Sequence, residues 1–354
     1  MNAEPAGREA DARFMARALE LARKGEGLTR PNPPVGAVLV LDGRIIAEGF
    51  HERAGGPHAE RVCLDRTDLP PEVLRRAALY VTLEPCSTKG RTPPCTDLIL
   101  ERGVGRVVAA VEDPNPRHAG RGLDLLRRAG VDVTSGVCAR EAAELLAPFA
   151  KFITRGMPFL TLKLAVTLDG RIADAAGRSK WITGPAARGR VQALRRRADV
   201  VMVGAGTVRA DNPSLLPRPD EGRRPWRVVV GENIPPDARV LTDEAAGRTL
   251  VRSGDDLPAL LRELAAEYDV MHVLCEGGGK LAASLVAAGL VDEYFFFVAP
   301  KLLGGDGVPC LAPLGRMLSD AAELEFLSVE RLGPDLLVRA RPVSSGDGTA
   351  GERP

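Results

Sequence analysis

Apolar residues recur at helical spacing between residues 9 and 24, at Phe14, Ala18, Leu21 and Ala22, and predict an amphipathic helix closed by Gly25. Two short apolar runs follow at 35–41 and 44–50, and Asp42-Gly43 between them marks a hairpin. A helix is expected to start near His58. Beyond it "AALYVTL" reads as a buried strand, "TDLILERG" as a short helix ended by Gly103, and "RVVAAV" as a strand. "GLDLLRRAG" then reads as a helix and "VDVTSG" as a strand. This alternation predicts a three-layer α/β unit with a partly parallel sheet, complete near residue 145.

The pattern then starts again. "PFLTLKLAVTLDGRIA" is strand-like and ends in a second Asp-Gly turn. Strands are expected at 200–203, 227–230 and 270–275, and helices at 185–197, 256–267 and 279–288. "YFFFVAP", read as core strand, and two strands near 324–329 and 335–340 finish the fold. The boundary is read at "APFAKFITRG", residues 147–156. That gives domains 1–148 and 149–342, with a small, polar tail at 343–354 expected to be disordered.

Composition narrows the class. A chain of 354 residues suggests two domains. Hydrophobic residues at 45% and charged residues at 27% fit a soluble globular protein with ample core. A net charge of +1 provides no global field for nucleic acid or an anionic membrane. No apolar run approaches the ~20 residues that cross a bilayer. The first residues carry acids and no apolar core, so no secretory signal is read there and a cytoplasmic location is expected. Six cysteines in such a chain do not make a disulfide framework. A close pair in a reducing compartment points to metal or chemistry.

That pair is Cys86 and Cys95, in "VTLEPCSTKGRTPPC". Upstream, "GGPHAERVCL" places His58 and Glu60 as H-x-E. One imidazole and two thiolates make three ligands suited to Zn²⁺, one ion in the first domain. With four histidines in the chain, no fourth protein ligand stands out, and an open fourth position is what a catalytic zinc keeps. Zinc lowers the pKa of bound water to about 7. Glu60, near the start of a helix, is placed to move protons without ligating. H-x-E followed by P-C and a second cysteine is the mark of zinc nucleobase deaminases, here with a longer C-x8-C loop. The bland alternative is a surface histidine and two small buried thiols; the four residues together speak against it. Cys63, Cys138, Cys275 and Cys310 are expected to be buried small residues. His118 and His272 have no partner visible in the sequence.

In the second half, "MHVLCEGGGKLAASLVAAG" is a buried strand, a triple glycine and an amphipathic helix. Glycines let backbone N–H groups approach a ligand, and the helix start favours an anion. Neither this stretch nor "GAGTVR" is a kinase P-loop or a Rossmann fingerprint. Spacing alone therefore leaves two readings: an anion or dinucleotide site, or a plain strand–helix turn.

Across residues 10–342 the chain resembles the cytidine-deaminase superfamily. More narrowly it resembles the bifunctional riboflavin-biosynthesis enzymes that join diaminohydroxyphosphoribosylaminopyrimidine deaminase to 5-amino-6-(5-phosphoribosylamino)uracil reductase. The resemblance rests on "PNPPVGAVLV", "HAE", "VTLEPCSTKGRTPPCTDLI", "VEDPNPRHAGRGL", "LKLAVTLDGRIA" and "SKWITGPAAR". It continues through "LRRRADVVMVGAGTVRADNPSLLPR", "CEGGGKLAASL" and "APKLLGG". It implies a cytidine-deaminase-like first domain and a dihydrofolate-reductase-like second domain that uses NADPH. The implied reactions are zinc-dependent deamination of a 2,5-diamino-6-ribosylamino-4(3H)-pyrimidinone 5′-phosphate, then reduction of its ribosyl group to ribityl.

The resemblance also assigns residues. In the deaminase, Asn32, His51 and Arg91 fall on positions near the substrate; Asn32 reads equally as a turn residue bonding its own backbone. In the reductase, Ala165, Trp181, Thr207, Asp211 and the run Gly278, Gly279, Lys280, Leu281, Ala282, Ala283 and Ser284 fall on the cofactor site. Ser179, Arg195, Leu215, Arg218 and Glu276 fall on the substrate site. Lys163, Asp211 and Glu276 are the polar residues expected to take part in catalysis, since proton delivery to an opened sugar needs such a group. Trp181 also reads as a core aromatic, and Arg195–Arg197 as a solvated helix face. A homo-oligomer is implied, with no nucleic-acid or membrane partner.

Three rival functions share parts of this pattern. A nucleic-acid deaminase needs a basic, aromatic surface, against which stand the near-zero charge and 4% aromatics. A zinc-stabilised binding module leaves Glu60 and the missing fourth ligand unexplained. A chain with one degenerate half would have lost a ligand, and none is lost.

Overall fold

The computed structural model describes residues 5–89, 93–219 and 223–343. Arg91 and the tail from 344 lie outside the described residues. Two compact units divide the chain. The first runs to Pro158 and takes in Ala265–Met271; the second comprises Phe159–Leu264 and the chain from His272.

The first unit contains α1 (Pro5–Arg23), β1 (Gly36–Leu41), β2 (Arg44–Phe50), α2 (Ala59–Leu64), α3 (Pro71–Leu74) and β3 (Ala78–Val81). It continues with α4 (Cys95–Glu101), β4 (Arg106–Ala109), α5 (Arg121–Arg128), β5 (Asp132–Ser135) and α6 (Ala139–Arg155). The sheet order is β2-β1-β3-β4-β5. β1 is antiparallel to both neighbours, while β3, β4 and β5 are parallel. Alternate strand residues face opposite layers. Ala37, Leu39, Leu79, Val81, Val107 and Ala109 pack under α2, α4 and α5. Val38, Val40, Tyr80, Val108 and Ala110 pack under α1 and Ala142 of α6. Burial on both faces explains why these strands read as unbroken apolar runs.

The 147–156 stretch read as a boundary lies mostly within α6, which carries Pro148 in its interior. The helix survives there because its apolar face is buried at Ala142, Leu146 and Phe149.

The second unit contains β6 (Phe159–Thr167), β7 (Arg171–Ala173), α7 (Pro185–Arg197), β8 (Val200–Gly204), α8 (Ala205–Asp211) and β9 (Trp226–Val230). Then come α9 (Arg239–Thr242), β10 (Thr249–Arg252), α10 (Leu257–Tyr268, of which the residues from Ala265 count with the first unit), β11 (His272–Cys275) and α11 (Gly279–Ala287). β12 (Glu293–Ala299), β13 (Val308–Pro309), β14 (Leu324–Leu332) and β15 (Asp335–Pro342) follow. Its main sheet has the order β10-β9-β8-β11-β6-β12-β15-β14. All neighbours from β10 to β12 are parallel; β15 and β14 add an antiparallel edge. β8, β9 and β10 step outward, and the chain then returns to insert β11 between β8 and β6. Strand order thus reverses beside β11, where open α/β sheets admit ligands at the strands' carboxyl ends.

Candidate functional site

In the first unit, three elements deliver metal donors. His58 precedes α2 as its cap, with extended backbone (φ −70°, ψ 160°). Cys95 opens α4, and Cys86 lies in the segment after β3. His58 Nδ1 is 3.6 Å from Cys86 Sγ and 3.4 Å from Cys95 Sγ. A tetrahedron with Zn–S of about 2.3 Å and Zn–N of about 2.0–2.1 Å has an N–S edge of about 3.5 Å. The donor set therefore fits zinc as it stands. Among the described residues, this cluster has no fourth His, Cys, Asp or Glu member. Cys86 is held well below the ordinary thiol range, first by a hydrogen bond from Cys95, and the same contact drives Cys95 upward. The opposite shifts show that one thiol ionises at the expense of the other, and a cation on the donors would let both ionise.

Glu60 is 3% exposed. Burial, and next the charge on Cys86, push its carboxyl up to about 7. A divalent ion on the three donors would draw that value down again. Asn32 and His51 meet beside this group. His51 Nδ1–H donates to the Pro57 carbonyl at 2.9 Å, which leaves Nε2 to accept from Asn32 Nδ2 at 3.1 Å. Burial lowers the His51 pKa, which favours the neutral ring. The His51 ring stands edge-on to His58, with centroids 5.6 Å apart. Asn32 does sit in a turn, its N–H donating to Thr29 O at 2.9 Å. Its side chain meets His51 and not its own backbone, so the alternative of a side chain spent on its own turn does not hold among the described residues.

Glu84 is a residue that sequence reading passed over. It is 5% exposed, and its carboxylate accepts three backbone N–H groups: Asp113 at 3.0 Å, Gly120 at 2.8 Å and Gly122 at 2.6 Å. The segment "VEDPNPRHAGRGL" is thereby tied to the chain two residues before Cys86. A Cβ on Gly122 would lie 2.1 Å from the Pro85 carbonyl, so only glycine permits this approach. His118, in the same segment, has a buried Nδ1 with no hydrogen-bond partner among the described residues.

The second unit holds a cavity of about 820 Å³ at the switch point of its sheet. Of the residues expected there, Lys163, Ala165, Ser179, Trp181, Arg195, Thr207, Asp211, Leu215, Arg218, Glu276 and Gly278 line it. Gly279, Lys280, Leu281, Ala282, Ala283 and Ser284 do not; they run along α11 behind Gly278, and Leu281, Ala282 and Ala283 are buried. A Cβ on Gly278 would sit 3.4 Å from Thr207 Oγ1, so no side chain fills the gap between α8 and the start of α11. Six cationic side chains (Lys163, Lys180, Arg188, Arg195, Arg218 and Arg239) face this space against two carboxylates, Asp211 and Glu276. Volume, sign and the uncovered glycine fit a phosphorylated ligand of dinucleotide size.

Arg195 is not a solvated residue. It grips Glu276 with both arms of its guanidinium, at 2.6 and 3.0 Å. Lys163 Nζ lies 3.8 Å from the same carboxylate. Burial works against the Glu276 charge, but Arg195 and Lys163 together hold its pKa below the ordinary value. Burial lowers Lys163, with Glu276 pulling the other way. Ser179 Oγ donates to Asp211 at 3.0 Å. Trp181 is 62% exposed, with Arg188 over its ring at 4.6 Å, so the core-aromatic reading is wrong. Leu215 is buried with φ 62°, a strained conformation for a branched side chain on a cavity wall. His272 has a partner after all, Thr161 Oγ1 at 2.9 Å. Cys63 and Cys275 are buried; Cys138 and Cys310 are only partly so.

Residues 158–338 match the family model of the RibD C-terminal domain, and residues 8–111 that of the cytidine and deoxycytidylate deaminase zinc-binding region. A riboflavin biosynthesis protein RibD of Bacillus amyloliquefaciens is 41% identical over 363 residues, covering 95% of this chain and 97% of its own. The structure of Acinetobacter baumannii RibD, form 1, is 36% identical with a TM-score of 0.86, over 95% of this chain and all of that one. A Thermotoga maritima structure described as a diaminohydroxyphosphoribosylaminopyrimidine deaminase/5-amino-6-(5-phosphoribosylamino)uracil reductase is 39% identical with a TM-score of 0.84, at the same coverage. The likeness thus spans both units.

Proposed function

We propose, for a chain that belongs to the RibD family of bifunctional riboflavin-biosynthesis deaminase/reductases, that the first unit deaminates a diaminopyrimidinone ribosylamine phosphate and the second reduces the product. The observation that carries this reading is the convergence of the His58, Cys86 and Cys95 donors beside buried Glu60.

Zinc, when bound to those three donors, makes water acidic enough to ionise near neutral pH. Glu60 accepts the water proton and passes it to the departing amino nitrogen; the ring carbon gains oxygen, the C–N bond breaks and ammonia leaves. Asn32, fixed by His51, offers its remaining amide hydrogen and its oxygen to the pyrimidine. Arg91 is the proposed phosphate contact of this unit.

NADPH, when bound, supplies hydride to the second reaction. Gly278, Thr207, Asp211, Trp181 and Ala165 are the cavity residues proposed to hold it, with Gly279 to Ser284 supporting from α11. Ser179, Arg195, Leu215, Arg218 and Glu276 are proposed to hold the substrate. Lys163, whose proton burial loosens, is proposed to protonate the opened sugar, with Asp211 assisting.

We also infer self-association and a cytoplasmic location. β14 is a sheet-edge strand, and its Phe326 and Val329 are 72% and 62% exposed, an edge that a second copy would cover. The six free cysteines, two of them in the metal site, support a reducing compartment. Sedimentation of the full chain and of a Phe326→Lys variant tests the first point.

The reaction is tested by following product masses from the pyrimidinone ribosylamine phosphate with and without NADPH. The expected result is a deaminated product alone, a deaminated and reduced product with NADPH, and loss of deamination in Glu60→Gln with zinc retained. Unchanged substrate with zinc-loaded parent protein would overturn the reading.

A further inference from the structure

The charges around the second-unit cavity do not balance locally. Glu276 pairs with Arg195 and Lys163, and Asp211 pairs with Lys180 at 3.6 Å. Arg188 donates to the Thr183 carbonyl at 2.8 Å and covers Trp181. Arg218 and Arg239 remain, and among the described residues neither guanidinium makes a hydrogen bond or a direct ion pair; Asp243, whose carboxylate is taken up by Arg227, feels the Arg239 charge only from a distance. Arg218 falls among the residues proposed above for substrate. Arg239 has no role so far.

Its position is nevertheless built with care. The Arg239 backbone N–H donates to Asn212 Oδ1 at 2.8 Å, which ties the start of α9 to the end of α8, where Asp211 faces the cavity. Beneath it lies Arg227, fully buried. Arg227 grips Asp243 just past α9 at 2.7 and 2.8 Å, and donates to Val240 O and to Ser214 O, each at 3.0 Å. One buried guanidinium therefore fixes two cavity walls, the Ser214–Leu215 segment and the α9 turn that presents Arg239. A surface arginine without function needs no such foundation. A second guanidinium presented to a cavity with surplus positive charge suits a phosphomonoester dianion, which an arginine fork meets with paired hydrogen bonds.

We propose that Arg239 is a phosphate-reading, specificity-determining residue of this cavity. The proposal rests on the reductase reading given above. Two ligands of that reaction carry a phosphomonoester: the 5′-phosphate of the substrate and the extra ribose phosphate that distinguishes NADPH from NADH.

The test uses the full chain, with Arg239→Gln and Arg239→Lys beside the parent. Dissociation constants for NADPH and NADH are measured by fluorescence titration at two salt concentrations, and KM for the phosphorylated substrate by NADPH oxidation. Loss of a charge-assisted contact is expected to weaken the affected ligand roughly 10- to 100-fold. A loss confined to NADPH, with NADH unchanged and a shallower salt dependence, assigns the cofactor phosphate. A loss confined to substrate KM assigns the 5′-phosphate. Arg239→Lys should recover part of either loss. If Arg239→Gln melts as the parent does and leaves all three constants within twofold, the proposal is overturned. If it weakens NADPH and NADH equally, Arg239 acts on the cavity wall and the proposal also fails. Parent protein that binds neither NADPH nor substrate refutes the reductase reading itself, a different result from either.

Discussion

Replacing Glu84 by Gln tests whether a group outside the metal's own ligands sets its affinity. The carboxylate serves Asp113 N and Gly120 N through Oε2 and Gly122 N through Oε1. A carboxamide keeps only one of those oxygens. If it takes the Oε2 place, its NH2 faces the Gly122 N–H across 2.6 Å, donor against donor. One charge-assisted bond is lost, worth about 1.5–3 kcal/mol, and a buried donor is left unpaired, for a total of about 2–4 kcal/mol. Gly122 is already against the Pro85 carbonyl, so a shift of that backbone is passed on to Cys86. Groups that orient metal ligands are typically worth 10- to 100-fold in affinity, or about 1.4–2.8 kcal/mol, a range that overlaps the cost just estimated. Unfolding of a two-unit chain is not a two-state event, so zinc affinity is the cleaner readout. Zinc competition against a chromogenic chelator should show that loss in Glu84→Gln and none in Glu141→Gln, an exposed glutamate of α6. Zinc binding within twofold of the parent, with full deamination at saturating metal, would refute the idea that Glu84 braces the cysteine.

Dialysis against a strong chelator is expected to abolish deamination, with recovery on adding zinc, and to leave NADPH-dependent reduction of separately supplied deaminated intermediate intact; product masses check both. Both tryptophans, Trp181 and Trp226, lie in the second unit, so their fluorescence reports its unfolding alone. By that signal, Arg227→Met should lower second-unit stability by about 3–5 kcal/mol, because it strips a buried ion pair of one partner. Burial lowers His272 to about 4 against an ordinary value near 6.5, so stability is complete above pH 6.5 and is lost as pH falls through 4. The parent should lose about 3 kcal/mol over that window and His272→Gln much less.

The elements with strong periodicity were legible. Residues 185–197 are α7 to the residue, and the hairpin turns on Asp42-Gly43 as read. α6 was not legible, because Pro148 and a change of composition look like a linker, and only the packing of Leu146 and Phe149 shows a helix. α8 was hidden in "GAGTVRAD", too short and glycine-rich to show a period. The metal donors were visible because zinc demands particular residue types at restricted spacing. Glu84 was not, since a carboxylate that serves backbone N–H groups about 30 to 40 residues away leaves no local pattern. Arg227 and Arg239 were missed for the same reason.

Glu60 and Glu276 are both deeply buried, yet their neighbours give them opposite duties. Glu60 has a thiolate as its main charged partner, and its carboxyl rises to about 7, where it takes up a proton readily. Glu276 lies between Arg195 and Lys163 and stays ionised, so it is poorly suited to donate a proton. Its work is to hold Arg195 in place and to keep a buried ammonium charged: Glu276 is the group that raises the Lys163 pKa against burial. Glu276→Gln removes that support, and Lys163 then loses its proton at lower pH. If Lys163 supplies the proton for reduction, the alkaline limb of the reductase pH profile must move to lower pH in Glu276→Gln, while Lys163→Met abolishes turnover with NADPH affinity kept. A Glu276→Gln enzyme whose kcat falls with its alkaline limb unmoved would return the donor role to Glu276.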